Sequence, residues 1–301
     1  MPALPDAPSR IGTQPTAASK SSAQPATADR SEATDPPPAQ DARAESTAAG
    51  DARLVPAVER AVMLLDAIAA AGRPQALADL SRQLQLPKSS VHGLLNTLVA
   101  LGLARRAENG LFALGVKPLQ WADAFIGQSD LMRAFDRHAN AFPELLPETV
   151  MLAVLQDDRV IYLSCRQGSR PLAVNFRVGG RFPASCTSSG KAMLASLPDP
   201  QVRRILGRQP LERLTPHGID SVDVLLAQLA TAREAGYATD DEETAEGMQC
   251  YGAAITAARQ PQAVAAVAVS LIKAGLTPDR RDAIVASITG LALRISQELG
   301  G

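Results

Sequence analysis

Six short or basic side chains share the outward side of a predicted helix at residues 88–101. They are Lys88, Ser89, Ser90, His92, Asn96 and Thr97. Hydroxyl, amide and imidazole groups of this size hydrogen-bond to phosphates and to base edges, which are the contacts that a helix makes in the major groove of DNA. Arg105 and Arg106 follow at a predicted hairpin, from which guanidinium groups can reach the flanking phosphates. The chemistry predicted for this segment is therefore the binding of double-stranded DNA.

Three helices and a hairpin are needed to position these side chains, and the local patterns predict them. Apolar residues recur at helical spacing in three segments, Val58–Ala69, Leu77–Leu84 and Val91–Leu101. Pro87 separates the last two segments, and a serine directly after Lys88 is expected to cap the third helix. The pair Asn109-Gly110 lies between two short predicted strands and is typical of a tight hairpin turn.

Three short helices followed by a β-hairpin are the order of a winged helix-turn-helix, so we predict a DNA-binding domain at residues 54–117. The charge agrees with this interpretation. Residues 54–117 contain seven Lys or Arg and four Asp or Glu, a net charge of +3, whereas the whole chain has a net charge of −1. An ordinary small helical domain with a polar exposed face is the alternative.

The rest of the chain predicts a tail, a long helix and an α+β domain. Residues 1–53 have too few apolar side chains to form a core, so we expect a disordered tail. Residues 118–138 have the pattern of one long helix, which we expect to pack against a second copy of the chain. Beyond it, strands and helices without β-α-β alternation indicate an antiparallel sheet with helices beside it. The β-rich runs are Met151–Val154, Val160–Cys165, Leu172–Phe176 and Val264–Ser270, and the helical runs are Gly190–Leu197, Gln201–Leu206, Val222–Ala235 and Asp282–Leu299.

Composition narrows the classes of protein that this chain can be. Its 301 residues are enough for two domains. Three scattered cysteines, Cys165, Cys186 and Cys250, form no CxxC pair, which argues against a zinc ribbon or a disulfide scaffold, and we expect no metal and no cofactor. The sequence shows no membrane-spanning or secretion segment, so the expected location is cytoplasmic.

The segment around Gly190 partly matches the sequence motif of a phosphate-binding loop, but two positions of the motif are not met. Ser189-Gly190-Lys191 has the Gly-Lys pair of that motif, but Ser185 stands where the first glycine belongs and Ala192 replaces the Ser or Thr. The better interpretation is a capped helix N-terminus whose amides can face a ligand carboxylate.

An enzyme remains the rival class at this point. Cys186 or Cys250 could act as a nucleophile with His217 as its base, because such partners need not be close in sequence. No nucleophile elbow, metal motif or paired catalytic carboxylates support this alternative. A ligand-binding module without DNA-binding activity is a further possibility.

Several motifs in both predicted domains resemble the IclR family of bacterial transcriptional regulators. In the first domain they are Val58-Glu59-Arg60-Ala61, Leu80-Ser81-Arg82-Gln83-Leu84, Leu86-Pro87-Lys88-Ser89-Ser90-Val91-His92 and Leu94-Leu95-Asn96-Thr97-Leu98. In the second they are Ser189-Gly190-Lys191-Ala192-Met193-Leu194-Ala195, Gly236-Tyr237-Ala238, Asp240-Asp241-Glu242-Glu243 and Gly247-Met248-Gln249-Cys250. The resemblance runs from about Leu54 to the C-terminus.

The resemblance implies a transcriptional regulator that is not an enzyme. It implies an N-terminal winged helix-turn-helix at residues 54–117, a linker or dimerisation helix at 118–138, and a C-terminal α+β effector-binding domain at 131–301 that begins within that helix. It further implies a homodimer or tetramer that represses or activates from operator DNA, and a small organic acid as effector. No membrane is implied as a partner.

The same resemblance assigns the effector site and shows where this chain departs from the family. The implied effector-binding positions are Gly190, Asp240, Met248, Cys250 and Ser270. The family pattern has Arg directly after the histidine of the third helix, where this chain has Gly93. Ala254 and Ala268 likewise replace a Pro and a Ser of the pattern, so that of the two family serines only Ser270 remains.

Overall fold

A computed structural model describes residues 54–169, 176–207, 210–258 and 260–300 of the chain. The predicted tail at residues 1–53, and the predicted strand Leu172–Phe176 apart from Phe176, lie outside the described residues. The N-terminal part of the described chain contains α1 (Pro56–Ala71), α2 (Leu77–Gln83), α3 (Lys88–Ala100), β1 (Ala104–Arg106) and β2 (Phe112–Leu114).

These five elements form the predicted winged helix-turn-helix. Its core combines aliphatic side chains from all three helices, among them Leu64, Leu80 and Leu95, each without solvent exposure, with Phe112 of the hairpin. β1 and β2 pair antiparallel, with Arg105 opposite Ala113, and a single bridge from Gln75 to Phe112 extends the wing. The three helices and the hairpin predicted from local patterns are confirmed.

The start of α3 differs from the prediction. Its N-cap is Pro87, which makes no side-chain cap, and the amide of Val91 donates to the Pro87 carbonyl over 3.0 Å. Because the extended backbone of Pro87 already starts the first turn, Ser89 and Ser90 lie inside the helix and are too late to cap it. The expected serine cap was wrong. At the other end, Leu101 follows the helix and is half exposed.

The predicted single helix at 118–138 is two helices, α4 (Lys117–Gln128) and α5 (Asp130–His138). Ser129 between them is extended, with φ −90° and ψ 106°, and its hydroxyl accepts a hydrogen bond from the amide of Met132. A serine followed by Asp130 favours a helix start over a helix interior, and this local preference interrupts the apolar pattern.

The C-terminal part is an α+β domain around one antiparallel sheet. The sheet has six strands in the order β5-β4-β3-β8-β7-β6. The strands are β3 (Thr149–Gln156), β4 (Arg159–Arg166), β5 (Arg181–Pro183), β6 (Ala238–Asp241), β7 (Met248–Ala257) and β8 (Gln260–Ile272). The helices are α6 (Ser188–Ala195), α7 (Asp199–Leu206), α8 (Val222–Ala235) and α9 (Pro278–Glu298), and a short 3-10 turn covers Pro143–Leu145.

Helices cover both faces of the sheet. On one face, Met193 of α6, Val202 of α7 and Leu225 of α8 share a core with the sheet. On the other face, Phe135 of α5 and Ile288 of α9 do so. The predicted antiparallel α+β arrangement is confirmed.

Two glycines permit close backbone contacts around the start of α6, one with β7 and one with the segment before the helix. A Cβ at Gly252 of β7 would be 2.5 Å from the carbonyl carbon of Ser188, and a Cβ at Gly190 would be 2.3 Å from the carbonyl oxygen of Ala184. Both distances are too short for any other residue, so glycine is required where the backbones meet. The N-terminal turn of α6 is therefore held against β7.

Within the described ranges, every helix is too short or too polar to cross a membrane.

Candidate functional site

The outward face of α3 carries the predicted DNA contacts. Lys88, Ser89, His92, Asn96 and Thr97 are exposed and Ser90 is partly exposed. The opposite side of the helix buries Val91, Leu95 and Leu98 in the domain core. Arg105 and Arg106 are exposed on β1. The structure therefore gathers six of the predicted residues on one helix face and the other two on the wing.

Most of these side chains make few hydrogen bonds or ion pairs within the protein. In the described part of the chain, Lys88, Ser89 and Arg105 make no hydrogen bond or ion pair. Thr97 Oγ1 donates to the Gly93 carbonyl over 3.0 Å, so its lone pairs stay available. The Arg106 guanidinium lies 5.8 Å above the ring of Phe112, which supports the wing while leaving its charge exposed.

Sequence reasoning missed the residues that fix the turn between α2 and α3. Ser81 Oγ donates to the Leu86 carbonyl over 2.6 Å. Gln85, in the same turn, has φ 54°, which is the left-handed region that side-chain-bearing residues rarely adopt. Neither role has a signal in the sequence, because serine and glutamine are ordinary on an exposed helix.

The second site is a row of side chains across the sheet. Cys250 of β7 is the direct partner of Asp240 on β6 and of Ser270 on β8. All three are buried, and Cys250 Sγ lies 3.2 Å from Ser270 Oγ. The three residues, distant in sequence, are thus brought together on the face that α6 covers.

Burial controls protonation in this row. It raises the pKa of Asp240, and the amides of Glu243 and Thr244, which donate to its Oδ1 over 2.8 and 3.1 Å, oppose the shift. Burial also raises the pKa of the Cys250 thiol well above its usual range, and the adjacent Asp240 adds to the shift. Cys250 is therefore a neutral thiol at neutral pH and not an activated nucleophile.

Tyr162 of β4, which the sequence analysis did not single out, is buried in the same core cluster as Cys250. Its ring contacts those of Phe176 and Phe182, with centroids 5.1 and 5.3 Å away. Burial raises the pKa of its phenol, and Cys250 and Asp240 add to the shift because they are close. Alternation along β4, where Val160 and Tyr162 are both buried, is the signal that could have found it.

The first turn of α6 adds a hydroxyl group near Tyr162. Ser189 Oγ, on the first turn of α6, is buried and has no well-formed hydrogen bond among the described residues, although it is close enough to Tyr162 to oppose the rise in that phenol's pKa. The amide of Gly190 donates to Thr187 Oγ1 over 3.0 Å, so the helix cap uses it. Gly190 has a packing role here, and its contact with an effector stays a prediction. Met248 is buried at the start of β7 on the same face of the sheet.

Lys191 has a different role from the phosphate-loop lysine considered above. It is buried, and its Nζ donates to a carboxylate oxygen of Glu243, to Gln228 Oε1 over 2.8 Å and to the Thr239 carbonyl over 3.1 Å. All three protons of the ammonium group are thus used inside the protein. A cleft of about 230 Å³ adjoins this pair, between α8 and β6.

Comparison with known proteins identifies the family. Residues 57–108 match the IclR helix-turn-helix domain, and residues 124–297 match the bacterial transcriptional regulator IclR C-terminal domain. The chain belongs to the IclR family of transcriptional regulators. Both matches fall on the parts where the structure shows the winged helix-turn-helix and the α+β domain.

Individual IclR-family proteins are similar over most of their length. The transcriptional repressor IclR of Escherichia coli (strain K12) is 31% identical over 271 residues, which are 88% of this chain and 98% of that protein. The crystal structure of the Agobacterium tumefaciens repressor BlcR is 34% identical, has a TM-score of 0.53, and covers 82% of this chain and 98% of its own. An IclR homologue from Microbacterium hydrocarbonoxydans, solved in complex with 4-hydroxybenzoate, is 25% identical with a TM-score of 0.68 and covers 81% and 99%.

The named relatives in the IclR family are regulators and repressors, which is a non-enzymatic role, and the same holds for this chain. The chemistry of its thiols agrees. Burial raises the pKa of the Cys186 thiol as it does that of Cys250. Among the described residues, no hydrogen bond joins His217 to either thiol. In the described part of the chain, the proposed pairing of Cys186 or Cys250 with His217 as its base is therefore not formed.

Proposed function

We propose that this IclR-family protein is a sequence-specific regulator that binds an operator through α3 and the β1–β2 wing, and that a small carboxylic acid bound beside Asp240, Cys250 and Ser270 controls it. The observation that carries the proposal is the division of α3 into a buried aliphatic side and a free polar side. The cytoplasm, where operator DNA lies, would be its place of action.

On the DNA side, each group has a chemically suited target. The short side chains of Ser89, Ser90, His92, Asn96 and Thr97 suit base edges and phosphates in a major groove. Lys88, at the start of α3, adds a positive charge where a phosphate would be bound. Arg105 and Arg106 on the wing suit phosphates beside the groove.

On the effector side, the site offers hydroxyl donors in a water-poor setting. Tyr162, Ser189 and Ser270 each have a buried hydroxyl there. Such donors suit a carboxylate or a neutral oxygen of a small acid, and the aromatic rings beside Tyr162 suit an apolar body. The relative solved with 4-hydroxybenzoate supports this class of ligand.

We further propose that the protein is a homodimer or a dimer of dimers joined through α4. In α4 no residue is buried within one chain. Its large apolar side chains, with those of α1, are exposed: Val58, Val62, Leu119, Trp121, Phe125 and Ile126. A second copy of the chain is the occupant that a two-fold operator requires, because paired winged helices read paired half-sites.

Phe125→Asp should therefore shift the protein towards the monomer, and it should weaken DNA binding because half-sites are then bound singly. Gln120→Asp is the matched control: it is exposed on the opposite side of the same helix from Phe125, so it should leave the assembly intact. Analytical ultracentrifugation measures the change. A wild-type chain that is monomeric at micromolar concentration would contradict the proposed dimer.

DNA binding itself is tested with duplex fragments from the region upstream of the protein's own gene. The regulator predicts saturable binding that weakens as salt rises, with a log–log slope of several units. No binding at low salt, with or without acids present, would overturn the proposal and favour a ligand-binding module without DNA activity.

The effector site is tested with a thermal-shift panel of small carboxylic acids that includes 4-hydroxybenzoate. An acid at 100 times its dissociation constant stabilises the folded protein by about 2.7 kcal/mol. Ser270→Ala and Asp240→Asn should abolish this shift and keep DNA binding without ligand, because the two sites are on different elements. Equal loss of ligand-free DNA binding would refute that separation.

A further inference from the structure

Three ionisable side chains are enclosed together behind the effector site. They are Lys191 on α6, Asp240 on β6 and Glu243 in the turn that follows, with relative exposures of 1%, 2% and 4%. When all three are ionised, two carboxylates share one ammonium group, and the cluster has a net charge of −1. An enclosed net charge is costly unless further donors or a proton compensate it.

The hydrogen bonds show which carboxylate is least supported. Lys191 Nζ uses its three protons on Glu243, Gln228 and the Thr239 carbonyl, so none remains for Asp240. Asp240 instead accepts from two backbone amides. Glu243 Oε2 is buried and, in the described part of the chain, accepts no hydrogen bond. The oxygen without a donor is therefore on Glu243.

A buried oxygen without a donor is tolerated far better in a neutral carboxyl group than in a carboxylate, because an ionised oxygen requires hydrogen bonds that this one lacks. Burial is the largest effect and raises the pKa of Glu243 to about 7. The Lys191 ammonium group opposes this shift, and the Asp240 carboxylate adds to it.

We propose that Glu243 is a proton-binding residue of the effector site, taking up one proton in the neutral pH range and so changing the net charge of the cluster of Lys191, Asp240 and Glu243 from −1 to zero. The inference rests on the proposed effector site. The backbone amide of Glu243 also donates to Asp240 Oδ1 over 2.8 Å, so the proposed proton site adjoins Asp240 directly.

A consequence for the effector follows from linkage. An anionic ligand beside Asp240 is repelled less when Glu243 is protonated, so ligand binding and proton uptake strengthen each other. Above neutral pH, the affinity for an anionic ligand should fall by up to about tenfold per pH unit, which is the limit for one linked proton.

The titratable and charged groups around Glu243 come from several elements. They are Lys191 from α6, Asp240 and Asp241 from β6, Cys186 from the segment before α6, and His217 and Lys273, which act on the neighbouring Glu242. Of these, an ordinary histidine titrates closest to neutral pH, so His217 needs a control variant.

The sign of the pH effect on stability is set by the unfolded chain. Glu243 has an ordinary pKa of 4.5 when unfolded and a pKa of about 7 when folded. Between these values the folded protein holds a proton that the unfolded chain releases. Stability from this group is therefore greatest on the acid side and is lost as the pH rises towards 7.

Urea unfolding of the full chain between about pH 5.5 and pH 7 measures this linkage. In the wild type, the contribution of Glu243 lowers the equilibrium constant for folding by up to about tenfold, or ~1.4 kcal/mol, for each unit by which the pH rises. Glu243→Gln should remove that contribution, whereas His217→Asn should keep it. The same pH slope in the wild type and in Glu243→Gln would overturn the proposal, as would loss of the difference in His217→Asn.

Infrared titration of the folded chain gives a second measurement that does not depend on the stability of the glutamine variant. The carbonyl band of a buried protonated carboxyl should appear as the pH falls through neutrality. Lys191→Met should move its midpoint to higher pH, because the ammonium group that opposes protonation is gone. Absence of the band in the wild type, or an unmoved midpoint in Lys191→Met, would overturn the proposal.

The failure of this inference is distinguishable from failure of the proposed function. Calorimetry with 4-hydroxybenzoate, in buffers of different ionisation enthalpy, reports ligand binding and proton uptake separately. A protein that binds the acid but shows no titration of Glu243 overturns the proton site alone. A protein that titrates Glu243 but binds none of the acids in the panel keeps the proton site and overturns the ligand side of the proposed function.

Discussion

Substitution of Gly93 tests whether α3 faces DNA. This glycine lies on the exposed side of the helix, and a Cβ there would meet nothing within 4 Å. Its backbone is ordinary helix, so a side chain is accepted without strain. The IclR-family pattern has Arg at this position. The substitution Gly93→Arg therefore restores the family's guanidinium group at a position that has room for it.

Two effects must be separated, and their sizes follow from the structure. Gly93→Ala removes a helix-interior glycine and should stabilise α3 by about 0.5–1 kcal/mol, with no new charge. Gly93→Arg adds the same helix effect and one cation per protomer. If each new cation neutralises one phosphate, a dimer gains a salt slope of about 1.8, since each phosphate contributes about 0.9. Over a fourfold rise in salt, that is roughly a further tenfold loss of affinity.

The assay is fluorescence anisotropy on one duplex across a salt series, with hydrogen exchange of the α3 amides as the measure of helix stability. Gly93→Ala should slow exchange by about two- to fivefold and leave the salt slope unchanged. Gly93→Arg should steepen the slope, and Gly93→Glu should lower affinity most at low salt. Equal slopes for the Arg and Ala variants would refute the view that this face of α3 lies against DNA.

Two further predictions concern the wing and the packing of α6. Arg105→Ala should weaken binding to all duplexes alike and reduce the salt slope by about 0.9 per protomer, because a phosphate contact contributes no sequence preference. The control is Arg203→Ala, which removes an exposed arginine of α7 that is paired with Asp223. A sequence-dependent loss of affinity in Arg105→Ala would contradict a phosphate role. Gly252→Ala should lower the free energy of unfolding by about 1–3 kcal/mol, because its Cβ would meet backbone atoms of α6. Gly127→Ala on α4, where a Cβ meets nothing within 4 Å, should not destabilise the protein in the same urea titration. Equal losses of stability in the two variants would show that the contact at Gly252 relaxes.

Local patterns predicted the winged domain well, because its elements depend on short-range chemistry. The aliphatic spacing in α3 places Val91, Leu95 and Leu98 on one side of the helix, which is buried in the domain core. This pattern does not depend on the rest of the chain. The Asn109-Gly110 turn fixes the hairpin within four residues of Arg106. The same reasoning failed at Ser129, where apolar periodicity alone could not detect that a capping serine divides the segment into α4 and α5.

The row of Asp240, Cys250 and Ser270, which we propose as the effector site, was predictable only through the family resemblance. Asp240, Cys250 and Ser270 are neighbours because of the register between β6, β7 and β8. A slip of one residue in β7 would turn Cys250 to the side of α9, and no local pattern determines that register. The burial of Tyr162 follows from alternation along β4 alone, whereas its position relative to Asp240 depends on the pairing of the whole sheet.

The buried pair of Lys191 and Glu243 shows how such a site arises from residues that reveal little in the sequence. A lysine is rarely buried, so its residue type favours an exposed position. Lys191 is enclosed where Gly190 and Gly252 permit close backbone contacts around the start of α6, and it is almost fully buried beside the cleft between α8 and β6. Glu243 is the carboxylate that pairs with it. Asp240 adds a second carboxylate, so the three side chains together have a net charge of −1 when all are ionised. The close packing that two glycines permit is therefore the physical origin of the charge that the proposed proton would neutralise.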